Sequence, residues 1–505
     1  NNIYNRHYNN YNRPLLKYKL IVIKKGDEIT VKVLELNSEG KGVSKLDDGF
    51  VVFTDKALPG DEAMIKIRKK KSNYAEAKLL SIVKPSAFRT EPVCGYFGTC
   101  GGCKVMNFDY DKQLEFKTNA VKNALGKIGG FKELIIPPAI GSKSIFFFRN
   151  KMEYSFSDDE WLINLSDTKN DSDKNKTDKT GSGKPGYALG LHVPGFHSKI
   201  VNITKCYLMS EYSNGILKFT GEYFRKKNVS VYSTKTHSGF LRFLVIREGK
   251  NTGEIMVNIM TSDPDTELLN EYKTELDERF PEVTTLINSV TRKKAQIAVA
   301  DEEYILKGEG FIYEKLKTGE SERELKFRIS AGSFFQTNSL QAETLFRKVT
   351  ELSEFEKTDN VLDLYCGGGS ISLFISGYVN RVTGAEVIQS ATDDAVINAE
   401  LNGIGNAEFI VSDIKDFLTD FRNASEYNKV ILDPPRSGLH PKICEILSVS
   451  NFEKIIYVSC NPHTQARDLR IICSEGKYEI DKVQPLDMFP HTYHIENIVT
   501  LRGKG

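Results

Sequence analysis

The chain has 505 residues, of which 40% are hydrophobic and 27% are charged, and its formal net charge is +2. A chain of this length exceeds what one hydrophobic core supports, so we expect about two to four domains. The near balance of charge gives no global sign of a nucleic-acid partner, and no segment approaches the roughly 20 apolar residues of a membrane span. We therefore expect a cytoplasmic protein without a membrane segment.

The first segments in chain order are a polar tail and a small β domain. Residues 1–19 are rich in Asn and Tyr, which predicts a disordered tail. Residues 20–85 alternate short strand-like runs with glycine turns, a pattern typical of an OB-like β-barrel. A basic face on its last strands could bind RNA phosphates, or it could be a solvated strand edge protected by lysines. Its residues are Lys66, Arg68, Lys69, Lys70 and Lys71.

Four cysteines then form a candidate metal site. Segment 94–103, CGYFGTCGGC, contains Cys94, Cys100 and Cys103, and Cys206 follows an apolar strand far downstream. Four soft ligands from two segments can enclose an iron–sulfur cluster or a structural zinc ion, and unrelated reduced thiols are the third interpretation. Three further cysteines need no role beyond packing: Cys366, Cys444 and Cys473.

The middle of the chain predicts a mixed α+β domain. Apolar residues at helical spacing predict a helix over 109–128, and the polar segment 164–186 predicts a disordered insertion. Strand-like runs lie at 241–247, 254–260 and 284–288. We assign 86–108 and 139–330 to this central domain, and 109–138 and 331–505 to a last domain.

The last third alternates strands and helices. Helical patterns such as 391–401 separate the strand-like runs, which predicts a doubly wound sheet. The predicted strands are 361–366, 382–387, 407–412, 429–433, 454–459 and 495–501.

A glycine turn follows the first of these strands. Segment 361–370, VLDLYCGGGS, brings glycines to a place where backbone can approach a ligand, and Glu386 ends the next strand, where a carboxylate could bind ribose hydroxyls. This predicts an adenosine-type cofactor, although a nicotinamide enzyme would use a similar turn. The third glycine of the dinucleotide fingerprint is replaced by Ser372 or Leu373, which argues against NAD.

A candidate nucleophile and a candidate base lie near the end of the chain. Segment 454–462, KIIYVSCNP, predicts a buried strand presenting Cys460 at its carboxyl end, and segment 489–496, FPHTYHIE, supplies Glu496. Without such neighbours Cys460 would be an ordinary core residue. His491 and His494 could also be a metal pair, but no further ligand set accompanies them.

These motifs, together with DPPR at 433–436, resemble the S-adenosylmethionine-dependent uridine carbon-5 RNA methyltransferases over about residues 27–502, apart from the polar insertion. The resemblance implies an α/β fold: a Rossmann-like methyltransferase domain, an N-terminal OB-like TRAM β-barrel that binds RNA, and a mixed α+β central domain carrying a metal cluster. In its ribosomal-RNA branch the same cysteine spacing holds a 4Fe-4S cluster. Because radical-donor enzymes use a Cys-x-x-x-Cys-x-x-Cys loop instead, we expect this cluster to be structural or to face RNA.

The resemblance also implies the residues of the donor pocket. The segment SFFQTN at 333–338 matches a Phe-Gln pair that contacts the donor, which nominates Gln336. Many family members carry Asn where this chain has Ser370, whose hydroxyl can still hydrogen-bond. Further donor-binding positions match Tyr365, Glu386, Asp413 and Asp433.

The implied reaction needs a nucleophile because carbon 5 of uracil is too poor a nucleophile to take a methyl group unaided. Cys460 would add to carbon 6, the resulting enolate would attack the donor methyl group, and Glu496 would remove the carbon-5 proton. Asp433 would orient the donor or the uracil. Segment 149–156, RNKMEYSF, also matches a family motif whose basic residues could contact RNA, although an ordinary strand would look similar.

The sequence therefore predicts a monomeric methyltransferase acting on a uridine of 23S ribosomal RNA. The same reaction on the T-loop uridine of transfer RNA is the close alternative. A non-catalytic RNA-binding assembly factor is more distant, because both Cys460 and Glu496 are intact. A nicotinamide oxidoreductase is disfavoured by the imperfect dinucleotide fingerprint.

Overall fold

A computed structural model describes residues 23–161, 187–196, 198–319, 323–419 and 426–504. The chain divides into two compact units, the first ending at Arg89 and the second beginning at Thr90. Within the described residues, no helix combines the length and the apolar character needed to cross a membrane. The predicted tail 1–19 and the whole of the predicted insertion 164–186 lie outside the described residues, and the predicted domain bounds stay predictions.

The first unit is a six-stranded sheet in the order β1-β5-β6-β4-β3-β2. Alternating apolar residues such as Ile65 and Ile67 fill its interior, as expected for strands with one buried face. After β1 the chain turns back, and the Leu34 N–H donates to the Val43 carbonyl of β3 at 2.8 Å, which closes the sheet toward a barrel. The strands are β1 (Glu28–Lys32), β2 (Glu35–Leu36), β3 (Gly42–Lys45), β4 (Val51–Thr54), β5 (Glu62–Lys70) and β6 (Tyr74–Lys84).

The second unit contains a central seven-stranded sheet in the order β13-β12-β11-β10-β7-β8-β9. Helices α2 (Glu211–Lys226) and α3 (Thr266–Arg279) pack on it through an aromatic layer that includes Phe224 and Tyr272, whose rings stack 5.0 Å apart. The strands are β7 (Lys151–Ser157), β8 (Ala188–His192), β9 (Ile200–Asn202), β10 (Leu241–Glu248), β11 (Ile255–Thr261), β12 (Val283–Val290) and β13 (Glu302–Lys307).

A second seven-stranded sheet forms the last part of the chain, in the order β18-β17-β16-β19-β20-β22-β21. Strands β16 to β20 are parallel, and β22 and β21 complete the sheet in antiparallel fashion. The strands are β16 (Asn360–Leu364), β17 (Arg381–Glu386), β18 (Ala407–Val411), β19 (Lys429–Leu432), β20 (Lys454–Ser459), β21 (Tyr478–Leu486) and β22 (Glu496–Gly503). The hairpin β14 (Phe311–Lys317) and β15 (Glu324–Ser330) shares its hydrophobic core.

Helices cover both faces of this sheet. Helix α1 (Tyr110–Ala124), which a π turn at Leu125–Gly129 extends, packs on one face through Val121 and Ala124 although it lies far upstream in sequence. The remaining helices are α4 (Ser339–Ser353), α5 (Ser370–Ile375), α6 (Gln389–Leu401), α7 (Ile414–Thr419), α8 (Pro441–Val449) and α9 (Pro462–Ile472).

The α/β class, the N-terminal β domain and the order of the strand-like runs in the last third are confirmed. Parallel strands buried on both faces are apolar throughout, which is why the sequence reveals them. Strand β21 was missed, because its sequence YEIDKVQPL mixes charged residues with a proline and it lies at the sheet edge. The end of the sheet nearest the glycine turn is where open α/β sheets bind ligands.

Candidate active site

Cys460 follows β20 directly, at the carboxyl end of a fully buried strand. Asn461 ends the strand and caps α9, accepting a hydrogen bond from the His463 N–H at 3.1 Å. Its side-chain amide also donates to the Arg436 carbonyl at 3.1 Å. One asparagine therefore joins the loop after β19 to the turn that carries the thiol.

The thiol of Cys460 lies among charged groups of both signs. Burial, as the largest cause, and the nearby carboxyl groups of Glu496 and Asp433 together raise its pKa to about 12, while the Arg436 guanidinium opposes them. These are the predicted nucleophile, the predicted base and the predicted acidic residue after β19. The structure brings them together although they come from three different strand ends.

Burial and neighbouring carboxyl groups raise the pKa values of both Glu496 and Asp433. Glu496 is only 5% exposed, and burial together with the neighbouring Asp433 raises the pKa of its carboxyl well above the usual range. Burial and the carboxyl of Asp363 raise the pKa of Asp433 to about 7. The two carboxyl groups therefore form a set of neighbouring acids, and burial together with a nearby carboxyl favours the protonated form of each.

Asp468 holds the loop after β19 in place through hydrogen bonds. Its carboxylate accepts hydrogen bonds from the Leu439 N–H at 2.8 Å, the Tyr457 hydroxyl at 2.7 Å and the Arg467 Nε at 2.8 Å. It thereby ties that loop to β20 and α9, and the loop carries Arg436. Buried hydrogen-bonded networks of this kind rigidify the groups they join.

A buried ion pair anchors the segment that leads to Glu496. Lys117 on α1 and Asp487 are both inaccessible to solvent, with Nζ and Oδ1 2.5 Å apart. Lys117 also donates to the Phe489 carbonyl at 3.0 Å, and the Tyr110 hydroxyl donates to Asp487 at 3.0 Å. Helix α1 thus holds the start of the 489–496 motif.

The glycine turn after β16 is held to the end of β17. The Glu386 carboxylate accepts hydrogen bonds from the N–H groups of Gly367 at 3.2 Å, Val387 at 2.8 Å and Ile388 at 3.0 Å. Gly369 has a φ of +77°, and a Cβ there would lie 2.9 Å from the Phe409 ring. The glycine is therefore required both by conformation and by space.

Beneath this turn, Asp363 is fully buried and accepts a hydrogen bond from the Ser372 hydroxyl at 2.5 Å. Burial raises its pKa to about 7, with a smaller contribution from Glu386. Its other oxygen, Oδ1, is buried without a hydrogen-bond partner among the described residues. Asp363 therefore has a hydrogen-bond acceptor below the glycine turn that no described residue uses.

The other residues predicted to bind the methyl donor are of two kinds: some lie at the glycine turn, and Gln336 has no described hydrogen bond to them. Tyr365, whose φ is +66°, lies near Asp413 and Glu386, since burial and then these carboxylates raise its pKa to about 12. Ser370 begins α5 directly after the glycines. In the described part of the chain, no hydrogen bond joins the Gln336 side chain to that group; its backbone carbonyl accepts from the Asn150 side chain at 2.8 Å.

All four cysteines of the predicted metal site line one cavity of about 290 Å³. Burial raises the pKa of every one of these thiols, and that of Cys100 to about 11. The negative charge of the other thiolates raises the pKa of Cys103 further, and the Arg149 guanidinium in the same cavity opposes this. The Arg149 Nε is buried without a hydrogen-bond partner among the described residues.

No group of three or more His, Cys, Asp or Glu side chains in the described chain is arranged tightly enough to hold a single metal ion. The four cysteines are all described, and no third metal-binding side chain joins His491 and His494 within the described residues. Burial, as the largest cause, and neighbouring cations together lower the pKa of both histidines to about 4. The His491 ring stacks on Phe146 at 4.6 Å and its Nδ1 faces the Gln113 amide at 3.3 Å, so it is a packing residue.

The cysteine cavity and the 489–496 motif are directly connected. The N–H groups of Lys104 and Val105, which follow Cys103, both donate to the His491 carbonyl, at 2.8 and 3.1 Å. His491 has a φ of +65°, unusual for a residue other than glycine. Thr492 lines the cavity as well.

Sequence reasoning missed several residues that organise the site. Arg436 was quoted within DPPR without a role, yet it is the cation that lowers the pKa of the Cys460 thiol. Lys117 and Asp487 were not singled out, since a lysine on a predicted helix and an aspartate after an unrecognised strand carry no local signal. Asn150 stands in a motif considered for RNA contact, but its side chain binds the Gln336 carbonyl and the Ser339 hydroxyl.

Comparison with known proteins identifies the family. The family described as tRNA (Uracil-5-)-methyltransferase matches residues 253–504, and the TRAM domain family matches residues 23–80. An uncharacterized RNA methyltransferase of Chlorobaculum tepidum is 38% identical over 96% of this chain and 98% of its own length. One of Bacteroides thetaiotaomicron is 36% identical over 92% of this chain and 99% of its own.

A solved structure agrees over nearly the whole length. The tRNA (uracil-54, C5)-methyltransferase of Pyrococcus abyssi, in complex with S-adenosyl-L-homocysteine, is 30% identical to this chain. The match has a TM-score of 0.70 and covers 94% of this chain and 100% of that one. The chain is an S-adenosylmethionine-dependent RNA methyltransferase that belongs to the RNA (uracil-5-)-methyltransferase family and carries a TRAM domain.

Proposed function

We propose that this protein methylates carbon 5 of a uridine in 23S ribosomal RNA through a covalent adduct between Cys460 and carbon 6 of uracil. The observation that carries the proposal is the meeting of Cys460, Glu496 and Asp433 at adjoining strand ends, with Arg436 as the nearby cation. The reaction adds a thiol at carbon 6 and later eliminates it as a proton leaves carbon 5. It therefore requires a thiol with carboxyl groups beside it that can accept protons.

Cys460 is a thiol in the free enzyme, because burial and two acidic neighbours keep its pKa at about 12. The bond from its sulfur to carbon 6 forms as the thiol proton leaves to the shared carboxylate set, and the electron pair moves to the uracil O4 enolate. Arg436 favours the thiolate during this step. Ionisation is thereby coupled to the presence of a uracil.

S-adenosylmethionine supplies the methyl group that carbon 5 takes up, and S-adenosylhomocysteine leaves. Glu496 then removes the carbon-5 proton, the electron pair re-forms the double bond between carbons 5 and 6, and the carbon–sulfur bond breaks. Burial makes the Glu496 carboxylate a stronger base than a solvated one, since its pKa is raised well above the usual range.

The donor pocket is formed by the glycine turn and its neighbours. Tyr365 lies near Glu386 and Asp413, and Ser370 starts the helix behind the glycines. The Gln336 carbonyl accepts a hydrogen bond from the Asn150 side chain, and Asp433 interacts with Asp363 and with the Cys460 thiol. We assign these residues to binding and orienting the donor.

The cysteine cavity is proposed to hold a 4Fe-4S cluster. The support is that Cys94, Cys100, Cys103 and Cys206, four soft ligands from two segments, line one cavity together with Arg149. A structural zinc ion, which four cysteines also bind, is the alternative. Arg149, buried with an unpartnered Nε, would balance the negative charge of a thiolate-bound cluster.

The T-loop uridine of transfer RNA is the second candidate substrate. The observation that favours it is the match to the Pyrococcus abyssi enzyme, which acts on uracil 54 of tRNA. The chemistry at Cys460 would be the same on either RNA, so the active site does not discriminate between them.

The experiment is methyl transfer from labelled S-adenosylmethionine into separate ribosomal and transfer RNA pools that lack 5-methyluridine. Label in 23S RNA that disappears with Cys460→Ala supports the proposal. Label in transfer RNA alone overturns the substrate assignment and keeps the mechanism, and no label in either pool overturns both.

A further inference from the structure

Three phenylalanines in succession, Phe146, Phe147 and Phe148, precede the first strand of the central sheet, and they have different surroundings. Phe148 is buried in the core of the central sheet, and Phe146 stacks on His491 of the 489–496 motif. Phe147 is 39% exposed. Packing therefore accounts for the positions of Phe146 and Phe148, and the exposure of the Phe147 ring has no such explanation.

The backbone at Phe147 is also unusual. Its φ is +56°, in the left-handed region that bulky side chains rarely adopt. The conformation is enforced on both sides, because the Phe147 N–H donates to the Tyr207 carbonyl at 2.8 Å and the Arg149 N–H donates to the Leu208 carbonyl at 2.9 Å. Strain of this kind, held by surrounding contacts, is typical of functional positions.

Phe147 has an aromatic partner and a nearby cation. Its ring centroid lies 6.1 Å from that of Tyr207, and the Lys205 ammonium lies 4.9 Å over the Tyr207 ring. Lys205 also pairs with Glu211 at 2.6 Å, so it is shared between an acidic side chain and the ring. An exposed ring next to a second ring and a lysine is the kind of surface on which nucleobases stack and phosphates approach.

The location connects this surface to the catalytic groups. Phe146, the neighbour of Phe147, contacts His491, and the Arg149 guanidinium lies 6.0 Å from the Phe489 ring. Arg149 and Arg436 both lower the pKa of His494, and Arg436 acts on Cys460 as well. Phe147 is therefore adjacent in sequence to a side chain that packs against the 489–496 motif.

We infer that Phe147, supported by Tyr207, is a stacking site for an unpaired nucleobase of the RNA substrate other than the uridine being methylated. The inference rests on the proposed function for the identity of the ligand as RNA with a flipped uridine. Removing a nucleotide from its stack costs a few kcal/mol, and an aromatic surface beside the site compensates a base left without a neighbour.

The test uses the full-length protein and three variants of one residue. Phe147→Ala removes the ring, Phe147→Gly removes the ring and suits the left-handed backbone, and Phe147→Tyr keeps the ring. Affinity for the ribosomal and transfer RNA pools lacking 5-methyluridine is measured by filter binding without donor, alongside KM and kcat for methyl transfer. Ile135→Ala, at a residue that is 91% exposed, is the matched control.

The expected result is about tenfold weaker RNA binding and a similarly raised KM for RNA with Phe147→Ala and Phe147→Gly. The kcat and the KM for S-adenosylmethionine should stay unchanged, and Phe147→Tyr and Ile135→Ala should resemble the unaltered protein. Phe147→Gly should melt at or above the temperature of the unaltered protein, which separates a lost contact from a damaged fold.

RNA affinity within twofold of the original for both Phe147→Ala and Phe147→Gly would overturn the inference, as would a loss of kcat with unchanged KM. The two proposals can fail separately. If the unaltered protein methylates neither pool, the proposed function fails, and the dissociation constants measured without donor still decide the role of Phe147.

Discussion

The protein has partly buried cysteines in two settings, at the end of β20 and in the cavity formed with segment 94–103. Burial raises the thiol pKa at both. At the first, the neighbours of Cys460 are two carboxyl groups and an arginine. At the second, the thiols face one another and Arg149. In the proposed function, the first setting provides proton acceptors for one nucleophile, and the second provides several soft ligands for one metal group. Neighbours, and not burial, decide what a cysteine can do.

The largest expected effect comes from removing the proposed nucleophile, which tests whether Cys460 differs in function from the cavity cysteines. Cys460→Ala should lower methyl transfer by on the order of 10⁵-fold, as expected when a covalent mechanism loses its attacking atom. It should also abolish the denaturant-stable complex with RNA containing 5-fluorouridine, whose carbon–fluorine bond blocks proton removal. Cys473→Ser, at the cysteine that ends α9 on the side away from Cys460, is the control. Residual activity of Cys460→Ala within tenfold of the unaltered protein would refute the role of Cys460.

Removing the base should have a smaller but more informative effect. Glu496→Gln should lower turnover by about 10²- to 10⁴-fold, because the carbon-5 proton has no acceptor. Addition and methyl transfer come before that step, so a methylated protein–RNA adduct should accumulate on denaturing gels. Absence of the adduct, with turnover equally low, would mean that Glu496 acts before carbon–carbon bond formation.

Altering the cavity should change metal content and stability. Cys103→Ala should lower bound iron from about four per chain toward zero, measured on anaerobically purified protein. The unfolding free energy should fall by about 2.7 kcal/mol or more, the stabilisation given by a ligand present at 100 times its dissociation constant. Cys473→Ser should leave both unchanged. Zinc in place of iron in the unaltered protein would contradict the proposed cluster.

The pH dependence gives the smallest predicted effect. Asp433 has its pKa raised to about 7, and protonated carboxyl groups cannot accept the thiol proton. Methyl transfer should therefore rise about tenfold between pH 6 and pH 8 and then level off. Asp433→Asn should remove the transition near pH 7. A rate that falls over this range would show that the protonated set is the active form.

The sequence predicted those parts of the structure that local patterns of apolar residues and short motifs indicate. Apolar runs revealed β16, β19 and β20, and the alternation of strand-like and helical patterns revealed β17 and β18. The KIIYVSCNP segment placed Cys460 at a strand end. Strand β21 was missed because half of its residues are polar. The approach of Arg436 to the thiol and of Lys117 to Asp487 depends on how distant elements pack, and no periodicity encodes that. The pairing of Cys460 with Glu496 was predicted only through the family resemblance.

The ion pair between Lys117 and Asp487 joins residues 370 positions apart. A growing chain therefore completes α1 long before it contains the partner of this lysine, and contacts of such high sequence separation form late in folding. A product cut short before Asp487 would keep Cys460 and lack Glu496. Such a fragment would also lack β22, which pairs with β20, so the strand end that carries Cys460 is completed only when nearly the whole chain has been made.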